Sequence, residues 1–79
     1  MLTMYSTAWC GYCHRLGSQL DRAGIQYTVV DIDRDPAAAQ YVRSVNGGNQ
    51  TVPTVLLPDG RTLTNPTITQ LTAALSTSV

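Results

Sequence analysis

The chain has 79 residues, of which 43% are hydrophobic and 13% charged, and its five Arg are balanced by five Asp. A neutral chain presents no broad positive field, which disfavours binding to nucleic acid or to an anionic membrane. No run approaches the roughly 20 apolar residues that cross a bilayer, and the first residues do not resemble a secretory signal. We therefore expect a single domain over residues 1–79, in a protein that is cytoplasmic and monomeric.

The spacing of apolar and turn-forming residues predicts seven secondary-structure elements. In chain order, they are a strand at 2–6, a helix from 11, a strand at 27–32, a helix from 36, strands at 54–57 and 61–63, and a helix after 65–66. The predicted apolar faces of the helices are Cys13, Leu16, Leu20 and Ala23; Ala38, Tyr41 (or Val42) and Val45; and Ile68, Leu71 and Leu75. The order β-α-β-α-β-β-α predicts an α/β fold with a mixed four-stranded sheet, in which the first two strands are parallel.

Turn and cap residues predict where the helices begin and end. Gly24 is placed to end the first helix in a left-handed conformation. Asp35 followed by Pro36 opens the second helix, because Asp accepts hydrogen bonds from first-turn N–H groups and proline suits the first helical position. Asn65 with Pro66 is predicted to cap the last helix.

The only two cysteines, Cys10 and Cys13, stand where the first helix opens. Residues three apart on a helix lie about one turn apart, so small adjustments bring the two side chains within disulfide range. The positive end of the helix dipole and its unpaired N–H groups stabilise a thiolate at the helix tip. We therefore predict that Cys10 is the exposed attacking nucleophile and that Cys13, on the apolar face, is the more buried resolving thiol.

Structural uses of the cysteine pair are less consistent with the sequence. A disulfide is disfavoured in a reducing compartment, and a bridge over so short a loop stabilises a fold little. A structural zinc site needs four ligands, whereas the only other candidate nearby is His14, which points away from Cys13 and is better explained as a solvated residue. We expect no metal site.

Tyr12 is a candidate substrate contact, and Trp9 either anchors its loop in the core or forms a wall of a binding surface.

Two segments resemble the signatures of the glutaredoxin family: Thr-Ala-Trp-Cys-Gly-Tyr-Cys at residues 7–13, after a strand, and Thr-Val-Pro-Thr-Val at residues 51–55. The resemblance extends over essentially the whole chain. It is closest to the mycoredoxins, glutaredoxin-like enzymes of bacteria that use mycothiol, through residues 45–54 and 63–66. It implies a thioredoxin fold and a cis peptide bond before Pro53 that presents the backbone of Val52 toward Cys10.

The resemblance also implies an activity, a thiol–disulfide oxidoreductase that reduces mixed disulfides between mycothiol and proteins. Its expected partners are mycothiol, as the reductant, and mycothiolated proteins, and no bound cofactor is expected. Glutathione-using relatives often carry a basic residue near Thr7 and a Gly-Gly pair with an acidic residue after the last strand, where this chain has Thr64 and Asn65. Because mycothiol has sugar hydroxyls where glutathione has charged ends, these polar residues favour mycothiol. The implied substrate contacts are Trp9, Tyr12, Thr51, Val52, Pro53, Thr64 and Asn65.

Three other functions stay open at this stage. A redoxin that is recharged by thioredoxin reductase and feeds ribonucleotide reductase has a similar size and fold. An iron–sulfur carrier would bridge a cluster between two protomers through Cys10 and external thiols. A purely structural or binding module would leave an exposed thiol pair without a purpose, and it ranks lowest.

Overall fold

The computed structural model describes residues 1–76, which form one four-stranded sheet and three helices. The elements are β1 (Leu2–Ser6), α1 (Gly11–Arg22), β2 (Tyr27–Asp31), α2 (Pro36–Val45), β3 (Thr54–Leu56), β4 (Thr62–Thr64) and α3 (Ile68–Ser76). The predicted order of elements is confirmed. None of the helices within residues 1–76 is long and apolar enough to span a bilayer.

The sheet is mixed, as predicted, with the strand order β2-β1-β3-β4. β1 and β2 are parallel because α1 carries the chain back across the sheet, whereas β1–β3 and β3–β4 are antiparallel. The turn between β3 and β4 places Gly60 at a φ of 96°, which suits glycine. In this topology the carboxyl end of β1 lies beside the beginning of β3, where Tyr5 pairs with Thr54. The chain before β3 is thereby brought to the start of α1.

The core has two layers because alternate residues of β1 point to opposite faces of the sheet. On one face, α1 and α3 cover the larger cluster, which consists of Leu2, Met4, Leu16, Leu20, Val55, Leu57 and Leu71. On the other face, α2 contributes to a smaller cluster, which consists of Ile32, Ala38, Ala39 and Val42. Tyr5 of β1 and Val30 of β2 pack against this smaller cluster. The clusters hold both layers of helices on the sheet and so fix the position of the α1 N-terminus.

Two helix faces differ from the prediction. Ala23 is exposed rather than in the core, because α1 ends one residue earlier. Gly24 then turns the chain at a φ of 71°, and the Ile25 N–H donates to the Leu20 carbonyl at 3.0 Å. In α2, Val45 is 37% exposed and Ala39 is buried instead. The small alanine side chains therefore form the face that α2 buries, and the last turn lies at its rim.

The cap of α3 is also different from the prediction. Thr67 and Gln70 form a reciprocal pair in which the Gln70 N–H donates to Thr67 Oγ1 at 3.1 Å and the Thr67 N–H donates to Gln70 Oε1 at 2.8 Å. This arrangement is a capping box. Asn65, the predicted cap, precedes the box and adopts a left-handed φ of 47° in the β4–α3 connection. By contrast, Asp35 caps α2 as predicted, with its carboxylate accepting the Ala38 N–H at 3.1 Å.

Candidate active site

The site begins where β1 ends and the chain turns into α1. Cys10 is the N-cap of α1, with φ −84° and ψ 106°, and its sulfur accepts the N–H of Cys13 at 3.2 Å. The Cys10 N–H in turn donates to the Thr7 carbonyl at 3.2 Å, which closes the loop between β1 and α1. The Cys10 sulfur therefore lies against the N-terminus of α1, where the helix dipole and an N–H donor favour negative charge.

Cys10 is less accessible than predicted. It is only 5% exposed, close to the 3% of Cys13, so the expectation of an exposed Cys10 was wrong, although Cys13 is buried as predicted. The physical reason is the loop before β3, whose Val52 carbonyl accepts from Cys10 Sγ at 3.9 Å and covers the sulfur. Both cysteines are free thiols. A substrate disulfide must therefore approach a sulfur that is almost fully covered.

The Cys13 thiol is held in its neutral form. Burial, and next the hydrogen bond with Cys10, raise its pKa from the usual 9.0 to about 12, although the backbone of Thr7 opposes the shift. A raised pKa means that the proton leaves only at strongly alkaline pH, so almost no Cys13 thiolate exists near neutrality. Cys13 is therefore not suited to starting the attack on a substrate disulfide.

We predict that Cys13 resists alkylation until the solution is strongly alkaline. In a Cys10→Ser variant, the rate of Cys13 modification by iodoacetamide should rise about tenfold per pH unit, because only the thiolate reacts. Burial is the larger cause of the raised pKa and is kept in this variant, so no plateau is expected below about pH 10. Mass spectrometry of the alkylated protein over a pH series measures this rate. A plateau near pH 9, as for a free thiol, would contradict the prediction.

The segment before β3 forms the other side of the site. The Val52–Pro53 peptide bond is cis, as the family resemblance implied. Pro53 is buried, and Thr51 and Val52 are half-buried. The Pro53 carbonyl accepts the N–H of Asn65 at 2.7 Å. This contact joins the loop that covers Cys10 to the β4–α3 connection.

A polar network that the sequence analysis did not identify ties these segments together. The Asn46 side chain, at the end of α2, donates through Nδ2 to the Val42 carbonyl at 2.8 Å and to Thr54 Oγ1 at 3.1 Å. Its Oδ1 accepts the Thr64 hydroxyl at 2.5 Å. The Thr54 hydroxyl donates to the Thr51 carbonyl at 2.7 Å. Asn46 thus holds one predicted contact residue, Thr64, directly and a second, Thr51, through Thr54.

Two aromatic side chains stand on either side of Cys10 and are open to solvent. Trp9 is 75% exposed and Tyr12 is 65% exposed. Of the two alternatives for Trp9, the structure shows the surface position, and its Nε1 donates to Asp33 Oδ2 at 3.2 Å. His14 is exposed as expected, but it is not free, because its Nε2 lies 2.9 Å from the Ala8 carbonyl and fastens the loop to α1.

Two depressions flank α1 near the cysteines. One, which we call the α1–α3 groove, has a volume of about 280 Å³ and lies between α1 and the β4–α3 connection; it is lined by Tyr12, Arg15, Leu16, Gln19, Asn65, Pro66, Thr67 and Ile68. The other, of about 370 Å³, lies between α1 and β2 and includes Cys13, Asp21 and Asp31 in its lining.

Within residues 1–76, no group of three or more His, Cys, Asp or Glu side chains is placed to hold a metal ion.

Comparisons with known proteins identify the family. The family model described as glutaredoxin matches residues 2–62. A "putative glutaredoxin" of Mycobacterium tuberculosis is 55% identical over 74 residues, covering 94% of this chain and 88% of that protein. Mycoredoxin 1 of Corynebacterium glutamicum is 43% identical over 74 residues, covering 94% of this chain and 91% of that protein.

A solved structure agrees with this assignment at the level of the fold. The crystal structure of a glutaredoxin from Archaeoglobus fulgidus has a TM-score of 0.78 and 24% identity, and the match covers 94% of this chain and 84% of that one. The mixed sheet of the present protein, with its three helices, is therefore a thioredoxin-like fold. The chain belongs to the glutaredoxin family, and it is a glutaredoxin-like thiol–disulfide oxidoreductase.

Proposed function

We propose that the protein reduces mixed disulfides between mycothiol and proteins, with Cys10 as the nucleophile. The observation that carries the proposal is the position of the Cys10 sulfur, which caps α1, accepts the Cys13 N–H at 3.2 Å and faces the Val52 carbonyl across the site. The sulfur lies at the N-terminus of the helix, beside a loop whose backbone is available to an extended substrate. The 43% identity to Mycoredoxin 1 supports mycothiol as the thiol.

The reaction divides into two exchanges. In the first, the Cys10 thiolate attacks the mycothiol sulfur of the mixed disulfide, and the substrate protein leaves as a thiolate that takes up a proton. In the second, the thiolate of another mycothiol attacks the mycothiol sulfur bound to Cys10, which releases mycothiol disulfide and restores the Cys10 thiolate. One disulfide is consumed and one is formed: the sulfur of the incoming mycothiol is oxidised as it enters mycothiol disulfide, and the sulfur of the substrate protein is reduced to a thiol.

Cys13 offers another way to complete the cycle. It attacks Cys10, releases mycothiol and leaves an intramolecular disulfide that an external thiol must reduce. The high pKa of Cys13 makes this route slower near neutral pH, because the attacking thiolate is scarce. We therefore propose that the mycothiol route dominates and that Cys13 is dispensable for turnover.

The surroundings of the site favour a sugar-bearing thiol. The β4–α3 connection carries Asn65, and Thr64 ends β4, at the place where glutathione-using relatives often have a charged clamp. No acidic residue lines the α1–α3 groove. The ammonium group of glutathione would find no carboxylate there, whereas neutral amides and hydroxyls pair with sugar hydroxyls. We further propose a monomer that acts in the cytoplasm as a single domain without a prosthetic group.

The test compares one peptide linked by a disulfide either to mycothiol or to glutathione. We expect the reduced protein to release the peptide from the mycothiol form at least about tenfold faster, since one or two additional hydrogen bonds suffice for that ratio. Equal or negligible rates with both forms would refute the preference for mycothiol. Rapid reduction of the oxidised protein by thioredoxin reductase would then support the ribonucleotide reductase donor.

A further inference from the structure

The loop between α2 and β3 covers the Cys10 sulfur, but the half of it that does so is weakly held by its own backbone. The first half is tied to α2, since the Gly48 N–H donates to the Arg43 carbonyl at 2.7 Å. Residues 50–52, by contrast, form no backbone–backbone hydrogen bond with the rest of the described chain. The position of the Val52 carbonyl over Cys10 therefore depends on side chains.

We propose that Asn46 is a positioning residue for the thiol–disulfide exchange. Through Thr54 it holds the Val52 carbonyl over the Cys10 sulfur, and it thereby sets how closely a disulfide can approach. The inference rests on the proposed function in taking Cys10 as the nucleophile, and it deepens that function by giving a role to a side chain that is not among the predicted substrate contacts. Asn46 acts through other residues and does not itself touch the substrate.

A relay of hydrogen bonds leads from Asn46 to the loop. Asn46 Nδ2 donates to Thr54 Oγ1 at 3.1 Å, and the Thr54 hydroxyl donates to the Thr51 carbonyl at 2.7 Å. A hydroxyl has a single proton, so a donor on one side of the Thr54 oxygen directs that proton toward Thr51. Thr54 is 0% exposed, which keeps water from replacing either partner. Thr51 immediately precedes Val52, whose carbonyl lies 3.9 Å from Cys10 Sγ.

The Asn46 side chain is itself fixed in one orientation. Its Nδ2 also donates to the Val42 carbonyl of α2 at 2.8 Å, and its Oδ1 accepts the Thr64 hydroxyl of β4 at 2.5 Å. Rotating the amide by half a turn would place Oδ1 against the Val42 carbonyl, where two acceptors repel each other. Asn46 therefore transmits the positions of α2 and β4 to the start of β3.

The two ends of the covering segment are held by different parts of the fold. Thr51 is held from α2 through Thr54, and the Pro53 carbonyl accepts the Asn65 N–H at 2.7 Å. Loss of the first contact leaves Val52 held on one side only. The sulfur is then easier to reach, whereas the backbone available to an extended substrate is no longer aligned with it. A small disulfide and a peptide disulfide should respond in opposite directions.

The first experiment measures access to the Cys10 sulfur by alkylation with iodoacetamide. All variants carry Cys13→Ala, so that Cys10 is the only thiol of the chain. We expect Asn46→Ala to raise the alkylation rate about tenfold, which is the scale of one lost hydrogen bond in the closed form of the loop. Thr54→Val keeps the shape of the side chain and removes the hydroxyl, so it should produce a similar rise. The ratio of rates should be the same at every pH, since access changes and ionisation of the thiol does not.

A urea series separates local opening of the loop from a general loss of stability. Local opening exposes little surface, so the alkylation rate should not depend on urea below the unfolding transition, whereas access through global unfolding rises steeply with urea. Ser44→Ala is the matched control, because Ser44 is exposed in the last turn of α2 and its hydroxyl donates to the Tyr41 carbonyl, away from the loop. It should leave the alkylation rate unchanged.

The second experiment uses the intact cysteine pair and compares two substrates. One is the peptide linked by a disulfide to mycothiol, and the other is 2-hydroxyethyl disulfide, which has no peptide backbone. In Asn46→Ala, we expect KM for the peptide to rise about tenfold, because the Val52 backbone no longer aligns it. The rate with 2-hydroxyethyl disulfide should not fall, since that substrate requires only the sulfur.

The outcomes that overturn the proposal are distinct. Unchanged alkylation in Asn46→Ala and Thr54→Val would show that Asn46 does not control access. A rise that grows with urea would show that it only stabilises the fold, and an equal loss with both substrates would exclude a role in alignment. If Asn46→Ala does not fold, Thr54→Val decides the result. The alkylation does not involve mycothiol, so it tests Asn46 even if the unmodified protein shows no preference for mycothiol and that part of the proposed function fails.

Discussion

Replacing Cys10 by serine is expected to reduce turnover of a mycothiol-linked peptide by at least about a thousandfold, which is the scale of losing an essential nucleophile. A hydroxyl at the N-cap of α1 still accepts the Cys13 N–H, so the helix remains capped. It does not ionise near neutral pH and cannot form a disulfide. Peptide release measured by mass spectrometry, with the folded state checked by circular dichroism, gives the result.

Cys13→Ser provides the comparison within the same motif. In the mycothiol route that we propose, a second mycothiol regenerates Cys10, so we expect this variant to keep most of the turnover with excess mycothiol. Cys13 is buried, so a Cys13→Ala variant separates a loss of chemistry from the cost of burying a hydroxyl. Abolished turnover in both folded Cys13 variants would show that the intramolecular disulfide is obligatory. Undiminished turnover in Cys10→Ser would remove Cys10 from the reaction altogether.

Replacing Leu71 by alanine is expected to lower the free energy of unfolding by about 2–5 kcal/mol. Leu71 is 0% exposed and is the only residue of α3 that is fully buried, in the cluster that α1 and α3 share with the sheet. Truncation leaves a cavity and removes the main contact that holds α3 in place. Because a small domain is stable by only about 5–15 kcal/mol, a large part of its stability depends on this side chain.

Urea denaturation of the reduced protein measures this loss. Thr69→Ala is a suitable control, because Thr69 lies in the same helix but is exposed, and it should change the free energy of unfolding by less than about 0.5 kcal/mol. A loss below about 1 kcal/mol in Leu71→Ala, with an unchanged dependence on urea, would mean that α3 is held mainly by other contacts.

The order of elements and the chemistry of the motif could be predicted from the sequence, because each depends on residues that are close together in the chain. Apolar periods of two and about 3.6 residues distinguish strands from helices whatever the rest of the chain does. Asp35 followed by Pro36 starts α2 with groups that belong to the helix itself. Cys10 and Cys13 are brought together by one helical turn. The family resemblance supplied the cis bond before Pro53, which local physics does not select.

The sequence analysis missed details in which the interacting residues are distant in the chain, or in which neighbouring residues compete for the same role. Thr67 displaced Asn65 as the cap of α3 because Gln70 completes a reciprocal pair with it. The buried face of α2 depends on how closely its alanine side chains pack against the sheet, and the helical spacing of apolar residues does not indicate this. Asn46 acquired its role only because folding brings β3 and β4 within hydrogen-bond range of the end of α2.

The sequence by itself thus determined a thioredoxin-like α/β fold, the position of Cys10 and Cys13 where the first helix begins, and the family. Only the tertiary structure decided how accessible that pair is. The sulfur of Cys10 is covered by the Val52 carbonyl, 42 positions away in the chain. The α1–α3 groove likewise exists only because the β4–α3 connection packs beside Arg15 and Gln19. Burial and concave surfaces arise from segments that meet on folding, whereas periodicity, caps and motif spacing are properties of neighbours along the chain.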